Sequence, residues 1–416
     1  MPYFIYRRFL LVIKLIHYIA IAADKAGAEG NGGIFTWGAN QGRQLGHDKN
    51  DGTNNSRLYS ATPTEVDFGA DDPRSKGDRW YQVAGGLVHS MALTENGDLF
   101  IWGMLTKALT EGNGTYPDPI SLVKYPTPTK IPREDNGSPW RVIAAGHSSA
   151  FAINEAGNLY AWGTGSFGLL GFPSDAQGRD VPTLVDNISE APDGSTIPWI
   201  RIAVGERSVY GLKKDGSLWV WGQNNRQQLG LPSGDLYETP QSVEITELDG
   251  SSWRQIVAGN DHVAALDMRG NLWTWGNTNG FRGGDNKGNK PGLAWTFEDT
   301  DPYGVAFTLI NAHGGEFAQA ITSNGRMYLF GNNGWGQLGT SEGVPANPGP
   351  GAGPGGINWL ETPVPGEIWV SISTGGSTSL GILSDGTLWG WGQNLYGQLA
   401  KAPDLRYSIT PVKIER

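Results

Sequence analysis

The sequence contains no cysteine. Disulfides, thiolate metal sites and a cysteine nucleophile are therefore excluded, while the redox compartment stays open. Basic residues are in deficit: 31 Lys and Arg stand against 41 Asp and Glu, a formal net charge of −10. A general affinity for nucleic acid or an anionic membrane surface needs the opposite balance. No stretch sustains a helical period of apolar positions, and no Gly-rich phosphate loop follows a strand and opens a helix. The apolar run from Arg7 to Ala23 is interrupted by Lys14 and His17 and is too short for a transmembrane helix.

Glycine is abundant, 62 of 416 residues with 25 Pro, and it falls in register. A Trp-Gly pair recurs at Trp37, Trp102, Trp162, Trp221, Trp275 and Trp391, with Phe330 as a seventh, variant copy. Successive anchors lie 65, 60, 59, 54, 55 and 61 residues apart, enough for a four-stranded sheet with its loops. Five residues before each anchor stands a Gly (Gly97, Gly157, Gly216 and their counterparts). Sixteen before, six copies have another, and twenty-two before, five have a Trp. After the anchor comes a degenerate Gln-Leu-Gly, then a Pro with an apolar residue three positions on.

Within a unit, Ser149–Ile153 followed by Asn-Glu-Ala-Gly and then Asn158–Trp162 reads as strand, tight turn, strand. The chain exceeds the size at which one core stops growing, a limit that a ring of units escapes because each buries its face on its neighbours. The expected class is all-β: a seven-bladed β-propeller of four-stranded antiparallel blades, a single domain over 1–416. Radial closure removes the exposed edges of a linear stack. His17-Tyr-Ile-Ala-Ile matches the strand at His89 and at His262, so residues 1–30 are expected to supply a degenerate first strand and a long hairpin. A cleaved signal segment is the alternative. Closure is expected by pairing of the N- and C-terminal strands, with residues of about 9 to 23 and Val412–Ile414 sharing the blade of Trp37. Residues 343–356 are a Gly/Pro-rich loop insertion.

The pattern Trp140…Gly146…Gly157-x-Leu159-Tyr160-x-Trp162-Gly163, with Gln-Leu-Gly and a later Pro-x-x-Val, resembles the regulator of chromosome condensation repeat family. That resemblance implies the same seven-bladed propeller, but not one function. The family includes a nuclear exchange factor for a small GTPase, a plant UV-B photoreceptor, secreted β-lactamase inhibitors and many scaffolds. The photoreceptor's Trp-Arg segment has no counterpart here, and most of the 17 Trp residues occupy repeating columns as core. The exchange factor's basic N-terminal tail is also absent.

No constellation for catalysis emerges. His17, His89 and His262 share a column on different units and cannot converge on a metal. Ser384–Trp389 resembles the Asp-box hairpin of sialidases, which is structural. Two loop classes carry information. The loops that lead into each new unit hold sixteen acids against four bases, a net of −12, which solubility or the steering of a basic partner would explain.

Five residues past the anchor, one column diverges while its surroundings repeat: Gly42, Lys107, Phe167, Arg226, Gly280, Trp335 and Tyr396. Phe167, Arg226, Trp335 and Tyr396 are the expected partner-binding residues, since aromatics and Arg dominate binding hot spots. The function expected is non-catalytic protein binding or scaffolding by a monomeric propeller, with no cofactor, metal, nucleic acid or membrane. The partner is an unidentified protein, basic if the acidic loops steer it, and a cytoplasmic location is favoured over secretion. The alternatives are a guanine-nucleotide exchange factor for a small GTPase and a secreted inhibitor or carbohydrate-directed binding protein.

Overall fold

The Gly five residues before each anchor turns the chain between two strands. Gly97, Gly157, Gly216, Gly270, Gly325 and Gly386 all have φ between 80° and 87°, the left-handed region that a side chain disfavours. The Gly of the Trp-Gly pair is needed for space as well. At Gly222 φ is 104°, and a Cβ there would stand 2.5 Å from the carbonyl oxygen of Arg207.

In the computed structural model these turns connect seven four-stranded antiparallel sheets. The structure describes residues 9–14, 17–22, 32–47, 59–105, 125–173, 178–185, 195–231, 234–245, 248, 251–277, 292–295, 306–312, 316–341, 354–401 and 404–415. Blade 1 comprises β1 (Phe9–Lys14), β2 (His17–Ala22), β3 (Ile34–Ala39) and β4 (Tyr59–Glu65). Blade 2 has β5 (Trp80–Gly85), β6 (His89–Thr94), β7 (Leu99–Gly103) and β8 (Tyr125–Ile131). Blade 3 has β9 (Trp140–Ala145), β10 (Ser149–Asn154), β11 (Leu159–Gly163) and β12 (Arg179–Leu184). Blade 4 has β13 (Trp199–Val204), β14 (Ser208–Lys213), β15 (Leu218–Gln223) and β16 (Leu236–Val243). Blade 5 has β17 (Trp253–Ala258), β18 (His262–Asp267), β19 (Leu272–Gly276) and β20 (Gly292–Trp295). Blade 6 has β21 (Phe307–Asn311), β22 (Phe317–Thr322), β23 (Met327–Asn332) and β24 (Pro354–Leu360). Blade 7 has β25 (Trp369–Gly375), β26 (Thr378–Leu383), β27 (Leu388–Gln393) and β28 (Tyr407–Ile414).

The first strands of successive blades touch one another in order, and β25 touches β1. The ring is thus closed, with these strands innermost. Hydrophobic clusters straddle the seams: Leu93, Leu99 and Ile101 of blade 2 pack with Trp140, Tyr160 and Trp162 of blade 3. Side-chain amides add polar locks between inner strands. Gln82 donates to the carbonyl of Ile143 at 2.8 Å and accepts from its N–H at 3.0 Å. Gln255 does the same to Ile310.

The N-terminal segment is part of the blade of Trp37, as the sequence suggests, but it supplies two strands rather than one. Lys14 pairs with His17, and His17 pairs with Gly38. The expected closure by pairing of N- and C-terminal strands is corrected on this point. β28 is the outer strand of blade 7, paired with β27. Blade 1, holding four strands of its own, has no vacancy for it. The ring closes through side chains instead: Tyr18, Ala20 and Trp37 pack against Leu380, Ile382 and Ile414. The Gly/Pro-rich insertion lies outside the described residues except for 354–356, which open β24.

Candidate protein-contact face

In a four-stranded meander, the turns from first to second strand and from third to fourth strand emerge at one end. The hairpin from second to third strand and the loop to the next blade emerge at the other. The divergent column and the acidic loops therefore lie on opposite faces of the ring. Phe167, Arg226, Trp335 and Tyr396 share one face, and the acidic loops do not border it.

The turn after each anchor builds itself from side-chain amides. Asn224 Oδ1 accepts from Leu229 N at 3.0 Å, and Gln228 Oε1 accepts from Arg226 N at 2.9 Å. Asn333 and Gln337 repeat this with Leu338 N and Trp335 N, each at 2.8 Å. Asn394 and Gln398 do so with Leu399 N and Tyr396 N, at 2.8 and 2.7 Å. The Gln carbonyl then reaches the next blade: Trp102 Nε1 donates to Gln44 at 2.8 Å, and Trp391 Nε1 to Gln337 at 2.9 Å. In blade 3 Leu169 stands in the Gln position, and its carbonyl still accepts from Trp221 Nε1 at 2.8 Å. In blades 1, 4, 6 and 7 the turn thus uses only the backbone N–H of the fifth residue past the anchor. Its side chain is unconstrained by the turn, which is the physical reason that column diverges.

The four side chains differ in placement. Arg226 is exposed. Phe167, at φ 61°, is half-buried with the Arg207 guanidinium 4.6 Å over its ring. Tyr396 is half-buried. Trp335 is only 5% exposed, so its indole offers little surface to a partner. Its turn leans on blade 7, where a Cβ at Gly336 would meet Ile409 of β28 at 2.6 Å. Phe167 and Arg226 lie on neighbouring blades, and so do Trp335 and Tyr396. Arg207 was missed from sequence; it sits in the first turn of blade 4, on the same face, and comparing only the later turn passes over it.

The opposite face uses many of its acids internally. Arg74 bridges Asp72 at 2.7 Å and Glu65 at 2.6 Å. Burial raises the Asp72 carboxyl, but the hydrogen bonds and charge of Arg74 outweigh it and hold it below the usual carboxylate range. Asp98 is likewise lowered, against its burial, by Lys130 at 2.6 Å and Arg133 at 2.9 Å. Asp135 accepts from Asn154 and Asn158, both at 2.6 Å. Lys213 Nζ lies 4.5 and 4.6 Å from the Trp199 and Trp219 rings, and burial brings its pKa down to about 8. Among the described residues no group of three His, Cys, Asp or Glu could hold a metal ion, and no helix is long and apolar enough to cross a membrane.

Relatives carry the same repeat. The chain is 30% identical over 314 residues to the "RCC1 domain-containing protein RUG3, mitochondrial" of Arabidopsis thaliana, covering 73% of this chain and 64% of that protein. It thus spans less than two thirds of that relative's length. It is 26% identical over 353 residues to the guanine nucleotide exchange factor SRM1 of Saccharomyces cerevisiae, covering 76% of this chain and 70% of that protein. The crystal structure of human WBSCR16 superimposes with a TM-score of 0.70 at 15% identity, over 92% of this chain and 93% of that one, a likeness of fold. The "Regulator of chromosome condensation (RCC1) repeat" matches residues 31–93, 156–212 and 215–266, and a second form of it matches 369–398. With seven blades built on one repeating set of anchors and turns, the chain belongs to the regulator of chromosome condensation repeat family.

Proposed function

We propose that this propeller is a non-catalytic protein-binding scaffold that engages its partner on the turn face through Phe167, Arg226 and Tyr396. Trp335, the fourth residue of that set, is 5% exposed and lies beneath the surface. One observation carries this reading. The turn is fixed by a backbone N–H in blades 4, 6 and 7, yet the side chain on that residue is Arg, Trp or Tyr, and Phe167 stands at the same position in blade 3. The blade does not require those types, and binding hot spots favour them. The acidic loops lie on the opposite face, so any steering of a basic partner acts there and not at this contact. Arg226→Ala combined with Tyr396→Ser is the test, scored by affinity pull-down at unchanged melting temperature. Loss of the partners supports the face; retention of all of them removes it.

A second reading, nucleotide exchange on a small GTPase, is supported by the similarity to a protein named as an exchange factor. Catalytic amounts of the chain would then accelerate release of labelled GDP from a GTPase panel. Such acceleration would displace the scaffold reading. A secreted inhibitor or carbohydrate-directed protein is separated from both by N-terminal sequencing of the mature chain.

A further inference from the structure

Among the described residues the fourth strand of each blade is the open edge of its sheet, and five of the seven carry a proline at one register position. Thr64, Thr129, Thr183, Gln241 and Val412 pair with the residue before the anchor in blades 1, 2, 3, 4 and 7. The residues preceding them are Pro63, Pro128, Pro182, Pro240 and Pro411. In blade 5, Gly292 pairs with Thr274 and Pro291 precedes it in sequence. A proline on an edge strand turns its missing N–H outward and denies an incoming strand a hydrogen bond. Two residues further on, where the backbone faces the same way, blades 1, 2 and 7 add a charge: Glu65, Lys130 and Lys413.

Blade 6 departs from both. Asn358 pairs with Leu329, and the residue before it is Ile357. Two residues on stands Trp359, 54% exposed, with the Arg326 guanidinium 5.6 Å over its ring. This edge therefore keeps the outward N–H that five other blades delete, and it puts an indole where three of them put a charge.

We propose that the outer edge of β24 is a docking site, distinct from the turn face, for an extended, proline-free apolar segment of a partner protein. The segment adds to blade 6 as a fifth strand. The backbone of Ile357 and Trp359 supplies the hydrogen bonds, and an aliphatic or aromatic side chain covers the Trp359 indole. A second copy of the chain fits less well. A seven-residue strand is about 23 Å long, and one edge of it buries a few hundred Å², short of the roughly 800 Å² per partner of a stable interface. Two chains of net charge −10 also repel.

The probe is a displayed library of random peptides about ten residues long, the length of a strand with its flanks. It is selected on the full chain and counter-selected on Ile357→Pro, which installs the proline of the other blades. Enriched peptides are expected to be proline-free with alternating apolar residues, and to bind Ile357→Pro at least about tenfold more weakly, about 1.4 kcal/mol. They should also protect the amides of residues 355–360 from hydrogen exchange. Trp359→Lys, at an exposed position, guards against misfolding of the first variant and should show the same loss with an unchanged melting temperature. Peptides that bind both variants like the wild type, or failure to enrich any, overturn the proposal. So does a dimer in sedimentation velocity that Ile357→Pro abolishes, which would assign the edge to a second copy. The Arg226→Ala/Tyr396→Ser chain should retain these peptides, which separates this site from the turn face.

Discussion

The indole N–H of Trp37 donates to the carbonyl oxygen of Gln398 at 2.8 Å, although 361 residues separate them. It is the same bond that joins Trp102 to Gln44 and Trp391 to Gln337, so the seam between last and first blades is built like the others. Trp37→Phe keeps most of the ring and removes the donor. It should cost about 1–2 kcal/mol, the usual penalty for leaving a buried acceptor unpaired, read as a lower denaturant midpoint. An unchanged midpoint would deny the bond a role in closure. Removing residues 1–25, which takes β1 and β2 away, should lower the melting temperature by many degrees.

Two tryptophans that the sequence separates should behave alike. Trp162 is 1% exposed and Trp335 is 5% exposed. Trp162→Ala should cost about 3–5 kcal/mol and Trp335→Ala about 2–4 kcal/mol, as for truncation of large buried aromatics. Thermal unfolding of both variants checks this. A loss below about 1 kcal/mol at Trp335 would restore it to the exposed surface.

One position should improve. The last residue of the turn is Gly46, Gly171, Gly230 or Gly339 in four blades, with φ between 70° and 79°, but Ala400 in blade 7, at φ 51°. The methyl group is strained there, so Ala400→Gly should stabilise the chain by about 0.5–1 kcal/mol after the greater unfolded-state entropy of glycine is counted. A lower melting temperature would refute the strain.

Stability should vary with pH at both ends. His262 is buried, and desolvation, only partly opposed by a backbone hydrogen bond to Phe317, brings its pKa from 6.5 to about 4. The unfolded chain binds this proton first as pH falls, so stability should drop between about pH 6.5 and 4, less so in His262→Gln. Lys213 is lowered from 10.5 to about 8 by burial, with Asp215 acting the other way. The folded chain releases that proton first, so stability should rise from about pH 8 towards 10.5, less so in Lys213→Met. Denaturant titrations across both windows read the slopes.

What the sequence shows is what every blade must repeat. The anchor tryptophans, the hairpin glycines and the paired strands are all legible because seven copies impose one geometry. The first unit is legible only in part: His17 keeps the column, but the strand of residues 9–14 shares no residue type with its counterparts at Lys14. Closure by a shared strand counts one N-terminal strand where the structure has two, β1 and β2. The burial of Trp335 is invisible in sequence because Ile409, which its turn leans against, belongs to the next blade, 74 residues away. The opposed faces follow from strand order alone, once that order is known.

Each blade is one unbroken stretch of chain, so during synthesis each can complete its sheet as it leaves the ribosome. Blade 1 differs in when its packing partner arrives. Its Tyr18 and Trp37 rings, stacked 5.4 Å apart, await Leu380, Ile382 and the carbonyl of Gln398, which lie more than 340 residues further along the chain. Until blade 7 is made that aromatic face stands uncovered, which makes it the surface a chaperone would meet first and the place where nascent chains would stick to one another.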